Sequence, residues 1–197
     1  NYSRENNMPE RLRDKILGII GLGRIGTAVA LRGRAFGMKI VFYDPYKDDG
    51  YDKSLGFDRV DTLHDIAAIS DIVSIHTPLT SETENMIDEN FFNSVKPGMI
   101  IINTARGSII DISALRIAMK EKIIKGAGLD VLPIEPSDDS QQLLVEWENN
   151  EKWLSGRLIV TPHVAFYSPA ALEEMRVKAS YEAKRVLEGK PARNVVN

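Results

Sequence analysis

The feature that most constrains the fold of this 197-residue chain is a regular alternation of short apolar runs with helical patterns. The runs are rich in Ile and Val without polar alternation, which is typical of strands covered on both faces. They lie at 15–20, 39–44, 71–76, 99–104, 126–131 and 158–163. Strands that alternate with helices predict parallel βαβ units, so we expect an α/β fold with a doubly wound parallel sheet.

The segments between these runs carry helical signals. Helices are predicted at 24–36, 62–69, 88–94 and 111–122. In the last of them, the spacing of Ile112, Leu115, Met119 and Ile123 gives one apolar stripe.

A longer helix is predicted at 168–189. Ser168 is its expected N-cap, Pro169 occupies the first helical position, and Gly189 ends it. Its apolar positions keep to one face, and such a helix at the end of a domain often leads to another domain.

The segment 133–157 interrupts the alternation. It is acidic and contains both tryptophans of the chain. Two interpretations remain open from the sequence, a partly helical surface excursion and a lid.

Composition narrows the class of protein. The length allows one large domain, and a 43% hydrophobic content with 27% charged residues is that of a globular protein. Net charge is −3, and the basic residues are scattered, so nucleic acid is not an expected partner. No uninterrupted apolar stretch approaches the roughly 18 residues of a membrane span, so no membrane partner is expected either. The absence of cysteine, together with a polar start that lacks a signal-peptide pattern, favours a cytoplasmic location.

Three glycines follow the first predicted strand, in the order Gly21-x-Gly23-x-x-Gly26. In a Rossmann-type strand–turn–helix, the first permits a tight turn, the second lets the backbone approach a pyrophosphate, and the third allows close helix packing. Asp44 ends the second strand, where an acid can accept hydrogen bonds from an adenosine ribose. Repulsion of a 2′-phosphate would then favour NAD over NADP. Alternatively, Asp44 is only a turn residue before Pro45.

Further candidates follow later strands, at the sheet edge where α/β proteins bind ligands. The phrases are NTARGSIID (103–111), GLDVLPIEP (128–136) and TPHVAFYSP (161–169). In isolation, Arg106 could be a surface arginine, Glu135 an exposed acid and His163 a capping histidine. His76 is expected to line or support the cofactor cleft, and His64 to be exposed. No metal-ligand spacing is present, so we expect no metal site.

Six ordered motifs give this chain a resemblance to the D-isomer-specific 2-hydroxyacid dehydrogenases. They are GLGRIG, YDP, HTPLT, NTARG, GLDV followed by EP, and TPH. The resemblance implies that Arg106 binds the substrate carboxylate and polarises its carbonyl. It also implies that His163 is the general acid/base and that Glu135 is hydrogen-bonded to it. The cofactor contacts that it implies include the three glycines. They are Gly21, Gly23, Arg24, Ile25, Gly26, Asp44, Thr77, Pro78, Thr83, Thr104, Ala105, Arg106, Asp130 and His163.

The resemblance also predicts a domain organisation, because the family normally has a second, substrate-binding domain. We expect a single NAD-binding domain at 15–167, with 1–14 as a remnant of the interdomain connection. Residues 168–189 are then an interdomain helix, and 190–197 a tail leading to the absent substrate domain. We expect a homodimer, and an isolated chain without dehydrogenase activity.

Within the family, FYDPYKDDG, the long segment before TPH and HVAFYS look closest to the C-terminal-binding-protein-like and phosphoglycerate-dehydrogenase-like branch. Substrates consistent with the family include glycerate, 3-phosphoglycerate, lactate and glyoxylate, and the sequence does not choose among them. An NAD(H)-sensing corepressor-like scaffold is an alternative, although Phe166 stands where the corepressors carry tryptophan. A third interpretation is a catalytically idle NAD-binding module.

Overall fold

The computed structural model describes residues 10–193 and residue 195. Its centre is a seven-stranded parallel sheet in the order β3-β2-β1-β4-β5-β6-β7. The strands are β1 (Ile16–Ile20), β2 (Lys39–Tyr43), β3 (Asp58–Arg59), β4 (Ile72–Ile75), β5 (Met99–Asn103), β6 (Ile124–Leu129) and β7 (Leu158–Val160). The order runs outward in both directions from β1, which confirms the predicted doubly wound, Rossmann-type sheet.

Helices connect these strands. They are α1 (Arg24–Ala35), α2 (Tyr51–Leu55), α3 (Leu63–Ile69), α4 (Glu89–Asn93), α5 (Ile112–Lys120), α6 (Gln142–Glu148) and α7 (Pro169–Leu187). Single 3₁₀ turns occur at Gly107–Ile109 and Lys152–Leu154. The described residues up to Pro162 form one compact unit, and those from His163 onward form a second.

Side-chain oxygens fix the beginnings of several helices. Asp111 Oδ1 accepts hydrogen bonds from the N–H groups of Ser113 and Ala114 at the start of α5. Thr62 and Asp65 form a reciprocal capping box at the start of α3. These caps explain why the predicted helix starts lie within one or two residues of the observed ones.

The sheet separates two groups of buried apolar side chains. Leu17 and Ile19 of β1 pack on the side of α1, whereas Ile20 belongs to the larger cluster on α3, α4 and α5. This division follows from the strand period, because successive side chains point to opposite faces. Gly33 lies on the buried side of α1, where an added Cβ would come within 2.6 Å of Leu17 Cδ2. Glycine therefore lets α1 pack closely on the sheet without a shift of the Leu17 and Ile40 side chains.

The segment 133–157 is partly helical, which agrees with the first of its two sequence interpretations. Leu143, Leu144 and Leu154 are buried against the main core. Glu146 accepts hydrogen bonds from Arg116 Nε at 2.8 Å and Nη2 at 2.6 Å, which ties α6 to α5. Arg116, followed by Lys120, lowers the pKa of Glu146 to about 2.

Arg157 anchors the end of the 133–157 segment through several hydrogen bonds. The guanidinium of Arg157 donates to the carbonyl oxygens of Met119 at 2.6 Å and Ile124 at 2.7 Å, and also to those of Lys125 and Trp153. A cation at the C-terminus of α5 is favourably placed toward the helix dipole. Arg157 thus joins the end of α5, the start of β6 and the segment before β7.

The second unit contains α7. Ser168 Oγ accepts from the N–H of Ala171 at 3.1 Å, Pro169 begins the helix, and Gly189 has a φ of +75°, all as predicted. The predicted apolar face is exposed at several positions, including Met175 and Val186. Within residues 10–193 and 195, no helix is both long enough and apolar enough to cross a membrane. Of the predicted connecting stretches, residues 1–9, 194, 196 and 197 lie outside the described residues.

Candidate functional site

The glycine loop lies at the carboxyl end of β1, beside the point where the strand order reverses. Gly21 has a φ of +88°, and a Cβ there would come within 2.9 Å of the His76 backbone. A side chain at Gly26 would meet the Gly21 carbonyl oxygen at 2.1 Å. At Gly23, by contrast, nothing lies within 4 Å of an added Cβ. The first and third glycines therefore form the turn and its packing, and the second faces open space.

The glycine loop leads directly into α1. Arg24 and Ile25 are exposed in the first turn of α1, with Ile25 at 65% of its full accessibility. The first turn contains no acidic residue, and Gly23 offers no side-chain cap. Its backbone N–H groups and the positive end of the helix dipole are consequently available to an anion such as a pyrophosphate.

Asp44 follows β2 beside the glycine loop and is 9% exposed. Its Oδ2 accepts from the N–H of Leu22 at 2.8 Å, and its Oδ1 accepts from the N–H of Tyr46 at 3.0 Å. These bonds hold the carboxylate in one orientation. Because a carboxylate oxygen has about two acceptor sites, each oxygen retains one for a ligand hydroxyl.

A cavity of about 560 Å³ opens where the loops after β1, β2 and β4 meet. Its lining includes the predicted residues Gly21, Gly23, Asp44, Thr77, Pro78 and Thr83, which the structure therefore brings together. Thr83 Oγ1 donates to the Pro78 carbonyl oxygen at 2.6 Å and accepts from the N–H of Thr80 at 2.8 Å, so the loop after β4 has a defined shape. The buried Thr77 Oγ1 has no hydrogen-bond partner among the described residues.

His76 also lines this cavity, in agreement with its predicted place. Its Nε2 lies 2.9 Å from Ser74 Oγ. Burial lowers the pKa of His76, because the charged imidazolium is less well solvated there. The ring is therefore neutral at physiological pH. His64 is exposed, as expected, with Nδ1 2.7 Å from Ser94 Oγ.

Arg106 lies in the loop after β5, together with Thr104 and Ala105. Asn103, which is 1% exposed, holds this loop from below. Its Oδ1 accepts from the N–H of Ala105 at 3.0 Å, and its Nδ2 donates to the Arg106 carbonyl oxygen at 2.9 Å. The Arg106 side chain is exposed and donates to the Ala105 carbonyl oxygen. Its guanidinium is thus held on a fixed loop at the ligand-binding edge of the sheet.

The loop after β6 carries Asp130 and Glu135. Asp130 is buried, and its Oδ1 accepts from Thr161 Oγ1 at 2.6 Å, which ties it to the end of β7. Glu135 Oε1 accepts from the N–H of Leu132 at 2.8 Å. A Cβ on Gly107 would fall 1.9 Å from the Leu132 carbonyl carbon, so the loops of Arg106 and Glu135 pack directly together.

His163 begins the second unit. Its φ of +53° lies in the left-handed region, which is uncommon for residues other than glycine, although histidine is among the enriched types. Its ring packs edge-to-face on Phe166, with 5.8 Å between the ring centres. Backbone strain of this kind occurs preferentially at functional positions.

Sequence reasoning missed Asn103, Thr161 and the cavity-lining pair Tyr46 and Glu82. Asn103 was visible as the only polar residue of an otherwise apolar strand, MIIIN. Thr161 begins the TPH motif, but the motif did not indicate its contact with Asp130, and Tyr46 and Glu82 gave no signal. Within the described ranges, no group of three or more His, Cys, Asp or Glu residues could hold a metal ion.

The features of the first unit fit a dinucleotide. They include a glycine turn, a helix N-terminus without an acid, a fixed carboxylate and a buried hydroxyl whose hydrogen bonding the protein leaves incomplete. Together they define a Rossmann-type NAD-binding domain. The chain belongs to the D-isomer specific 2-hydroxyacid dehydrogenases, and the NAD binding domain of that family matches residues 1–165. This result confirms the resemblance, the fold class and the cofactor predicted from the sequence.

Individual relatives agree with this assignment. The chain is 38% identical over 189 residues to C-terminal-binding protein 1 of Caenorhabditis elegans, covering 95% of this chain and 25% of the relative. It is 38% identical over 186 residues to D-3-phosphoglycerate dehydrogenase of Methanocaldococcus jannaschii, covering 94% and 34%. The NAD-complexed D-isomer specific 2-hydroxyacid dehydrogenase of Lactobacillus delbrueckii ssp. bulgaricus superposes with a TM-score of 0.80 at 31% identity, covering 98% and 59%. The chain thus spans a quarter to a third of these curated relatives.

Proposed function

We propose that this chain supplies the cofactor half of an NAD-dependent D-2-hydroxyacid dehydrogenase. In this proposal, Asp44 accepts hydrogen bonds from the adenosine ribose. The backbone of Gly23, Arg24 and Ile25 binds the pyrophosphate, with Gly21 and Gly26 shaping the turn. The main observation behind this proposal is the Asp44 carboxylate, which two backbone hydrogen bonds fix beside the open glycine loop. Each oxygen of this carboxylate keeps one acceptor site.

Residues of the loop after β4 complete the adenosine side. We assign Thr77, Pro78 and Thr83 to this part of the site because they line the same cavity as Asp44. The incomplete hydrogen bonding of the buried Thr77 hydroxyl supports a ligand contact. Thr104, Ala105 and Asp130 are assigned to the nicotinamide side, on the two loops that pack through Gly107.

The proposed reaction interconverts a D-2-hydroxy acid and a 2-keto acid, and the bound nicotinamide supplies or accepts the hydride. Arg106 binds the substrate carboxylate, for which a planar guanidinium offers paired donors, and polarises the carbonyl. His163 donates a proton to the substrate oxygen during reduction and removes it during oxidation. Glu135 is the proposed partner of His163, since a carboxylate stabilises imidazolium and orients the ring.

The parts of the chain have separate proposed roles. Residues 15–167 form the NAD-binding domain, 168–189 an interdomain helix, and 1–14 and 190–197 the connections to a substrate domain. The exposed apolar side chains of α7, among them Met175 and Val186, support packing against further protein. A homodimer is the proposed assembly, and light scattering of the purified chain tests it.

Two measurements on the 197-residue chain test the function. Titration with NADH should give saturable binding, whereas NADH oxidation with a panel of 2-keto acids should be nearly absent. A substrate held by Arg106 without the second domain loses most of its positioning, which can account for about 7–11 kcal/mol of a barrier in well-oriented systems. Turnover near one per second on any keto acid would show that the substrate domain is dispensable. Absence of NADH binding would refute the cofactor assignment.

The similarity to a C-terminal-binding protein supports a second candidate, an NAD(H)-sensing scaffold. The two candidates differ in what NADH binding causes in the whole protein. A dehydrogenase oxidises NADH with a keto acid, whereas a scaffold changes its assembly state without consuming the cofactor. Sedimentation with and without NADH, beside the activity assay, separates them.

A further inference from the structure

Two exposed residues meet across the cavity beside Asp44. Tyr46 Oη donates a hydrogen bond to Glu82 Oε2, and both side chains line the cavity. Tyr46 belongs to the loop after β2, and Glu82 to the loop after β4. The contact therefore joins two loops that the β1 glycine loop separates in the strand order.

Tyr46 and Glu82 each lie on a loop whose backbone is held by local hydrogen bonds. The N–H of Tyr46 donates to Asp44 Oδ1 at 3.0 Å, so the position of Tyr46 depends on the same carboxylate that faces the cavity. The N–H of Glu82 donates to Thr80 Oγ1 at 3.3 Å, and that of Glu84 to the Thr80 carbonyl oxygen at 2.9 Å. The Tyr46–Glu82 contact thus connects two locally ordered turns.

The charge of Glu82 favours this contact. Its carboxylate raises the pKa of the Tyr46 phenol, first through the hydrogen bond and then through its negative charge. At neutral pH the phenol is protonated and can donate to this carboxylate. Because Tyr46 is 75% exposed, the fold does not otherwise require its hydroxyl.

We propose that Tyr46 and Glu82 act together as a clasp that pre-forms the adenosine end of the cavity and thereby strengthens dinucleotide binding. This inference rests on the proposed assignment of Asp44 to the adenosine ribose. A side chain that is ordered before binding loses less conformational freedom when the ligand arrives. Loss of the clasp should weaken affinity about three- to tenfold, the range expected for ordering one such side chain.

A double-mutant cycle on the 197-residue chain tests the clasp, with NADH and ADP-ribose as probes. Tyr46→Phe and Glu82→Ala should each raise the Kd for both probes about three- to tenfold. The double variant should be no weaker than either single variant, because both changes break one contact. Glu82→Gln should restore most of the affinity, since the amide oxygen can still accept from the phenol. Glu84→Ala is the matched control, as it removes the same charge from the same turn outside the cavity lining.

The outcomes separate the clasp from the function on which it rests. Single variants within twofold of the unsubstituted chain, additive losses in the double variant, or a Glu82→Gln variant as weak as Glu82→Ala would each overturn the clasp. If Asp44→Ala abolishes ADP-ribose binding while Tyr46→Phe does not weaken it, only the clasp fails. If the unsubstituted chain binds neither probe, the proposed cofactor site fails as well. Melting temperatures should not change, because both side chains are exposed.

Discussion

Replacing Asp44 by asparagine should reduce the preference for NADH over NADPH. In the native chain, the two backbone hydrogen bonds from Leu22 and Tyr46 prevent the carboxylate from turning away from the cavity. A 2′-phosphate about 4 Å from it would meet a repulsion of about 4 kcal/mol per unit charge at an effective dielectric of 20. Since about 1.4 kcal/mol is a factor of ten, native selectivity for NADH should approach 10³.

The asparagine variant removes this charge without changing the size of the side chain. Its amide has only one oxygen, so one of the two backbone N–H groups loses its acceptor, and NADH affinity should also fall. The diagnostic quantity is therefore the ratio of the two dissociation constants. We expect the ratio to fall by about 30-fold or more, since even a screened repulsion of about 2 kcal/mol is lost with the charge.

Fluorescence titration of the 197-residue chain with each reduced cofactor gives this ratio. Asp48→Asn is the matched control, because Asp48 is an exposed acid of the same loop, outside the cavity lining. In Asp48→Asn, the ratio of the dissociation constants for the two cofactors should match that of the native chain. A ratio in Asp44→Asn that stays within threefold of the native value would refute the assignment of Asp44 to the ribose.

Further predictions concern stability and catalysis. Arg157→Met should lower the free energy of unfolding by about 2–4 kcal/mol in urea titrations, since four backbone carbonyl oxygens lose the donor that Arg157 supplies. A loss below about 0.5 kcal/mol would contradict this. Because Arg116 holds the pKa of Glu146 near 2, their pair should stabilise the fold above the unfolded pKa of about 4.5 and lose its effect as pH falls toward 2. Melting of Glu146→Gln should therefore differ from native most at neutral pH, and an equal difference at pH 2 would argue against the pair. In a protein that joins this chain to a substrate domain, His163→Ala should reduce turnover by about 10² to 10⁴ with little change in NADH affinity. In the same two-domain protein, Arg106→Lys should raise KM or lower kcat. If neither constant changed, Arg106 would be only a turn residue.

The sequence predicted the main elements where hydrophobic patterning and capping agreed. Helix α5 followed from the apolar stripe that begins at Ile112, α7 from the cap at Ser168 and Pro169, and α1 from the glycine motif. The pattern missed β3, because Asp58–Arg59 is a two-residue edge strand with no apolar run. It also placed β6 two residues late, since the exposed Lys125 interrupts the apolar run at its start.

The candidate site was predictable to the extent that its residues belong to ordered motifs. Gly21, Gly23, Asp44, Thr77, Pro78 and Thr83 line one cavity, although their contacts with NAD stay a prediction. The hydrogen bonds that hold the site in place were harder to predict from the sequence. The bond from Thr161 to Asp130 depends on the pairing of β6 with β7, and the Tyr46–Glu82 contact joins loops 36 residues apart. Neither has a local signal, because each is produced by the tertiary arrangement.

The residues that line the cavity and the residues with proposed catalytic roles come from different parts of the chain. The cavity lining comes from residues 21–86, around β1, β2 and β4, whereas Arg106 and Glu135 follow β5 and β6, which lie farther along the sheet from β1. Asn103 and Gly107 hold the Arg106 loop without contributing to that lining. Substitutions in the loops of Arg106 and Glu135 should therefore alter the proposed reacting groups more than the proposed adenosine site. The adenosine-side residues and the proposed reacting residues are thus encoded by separate, consecutive stretches of the gene.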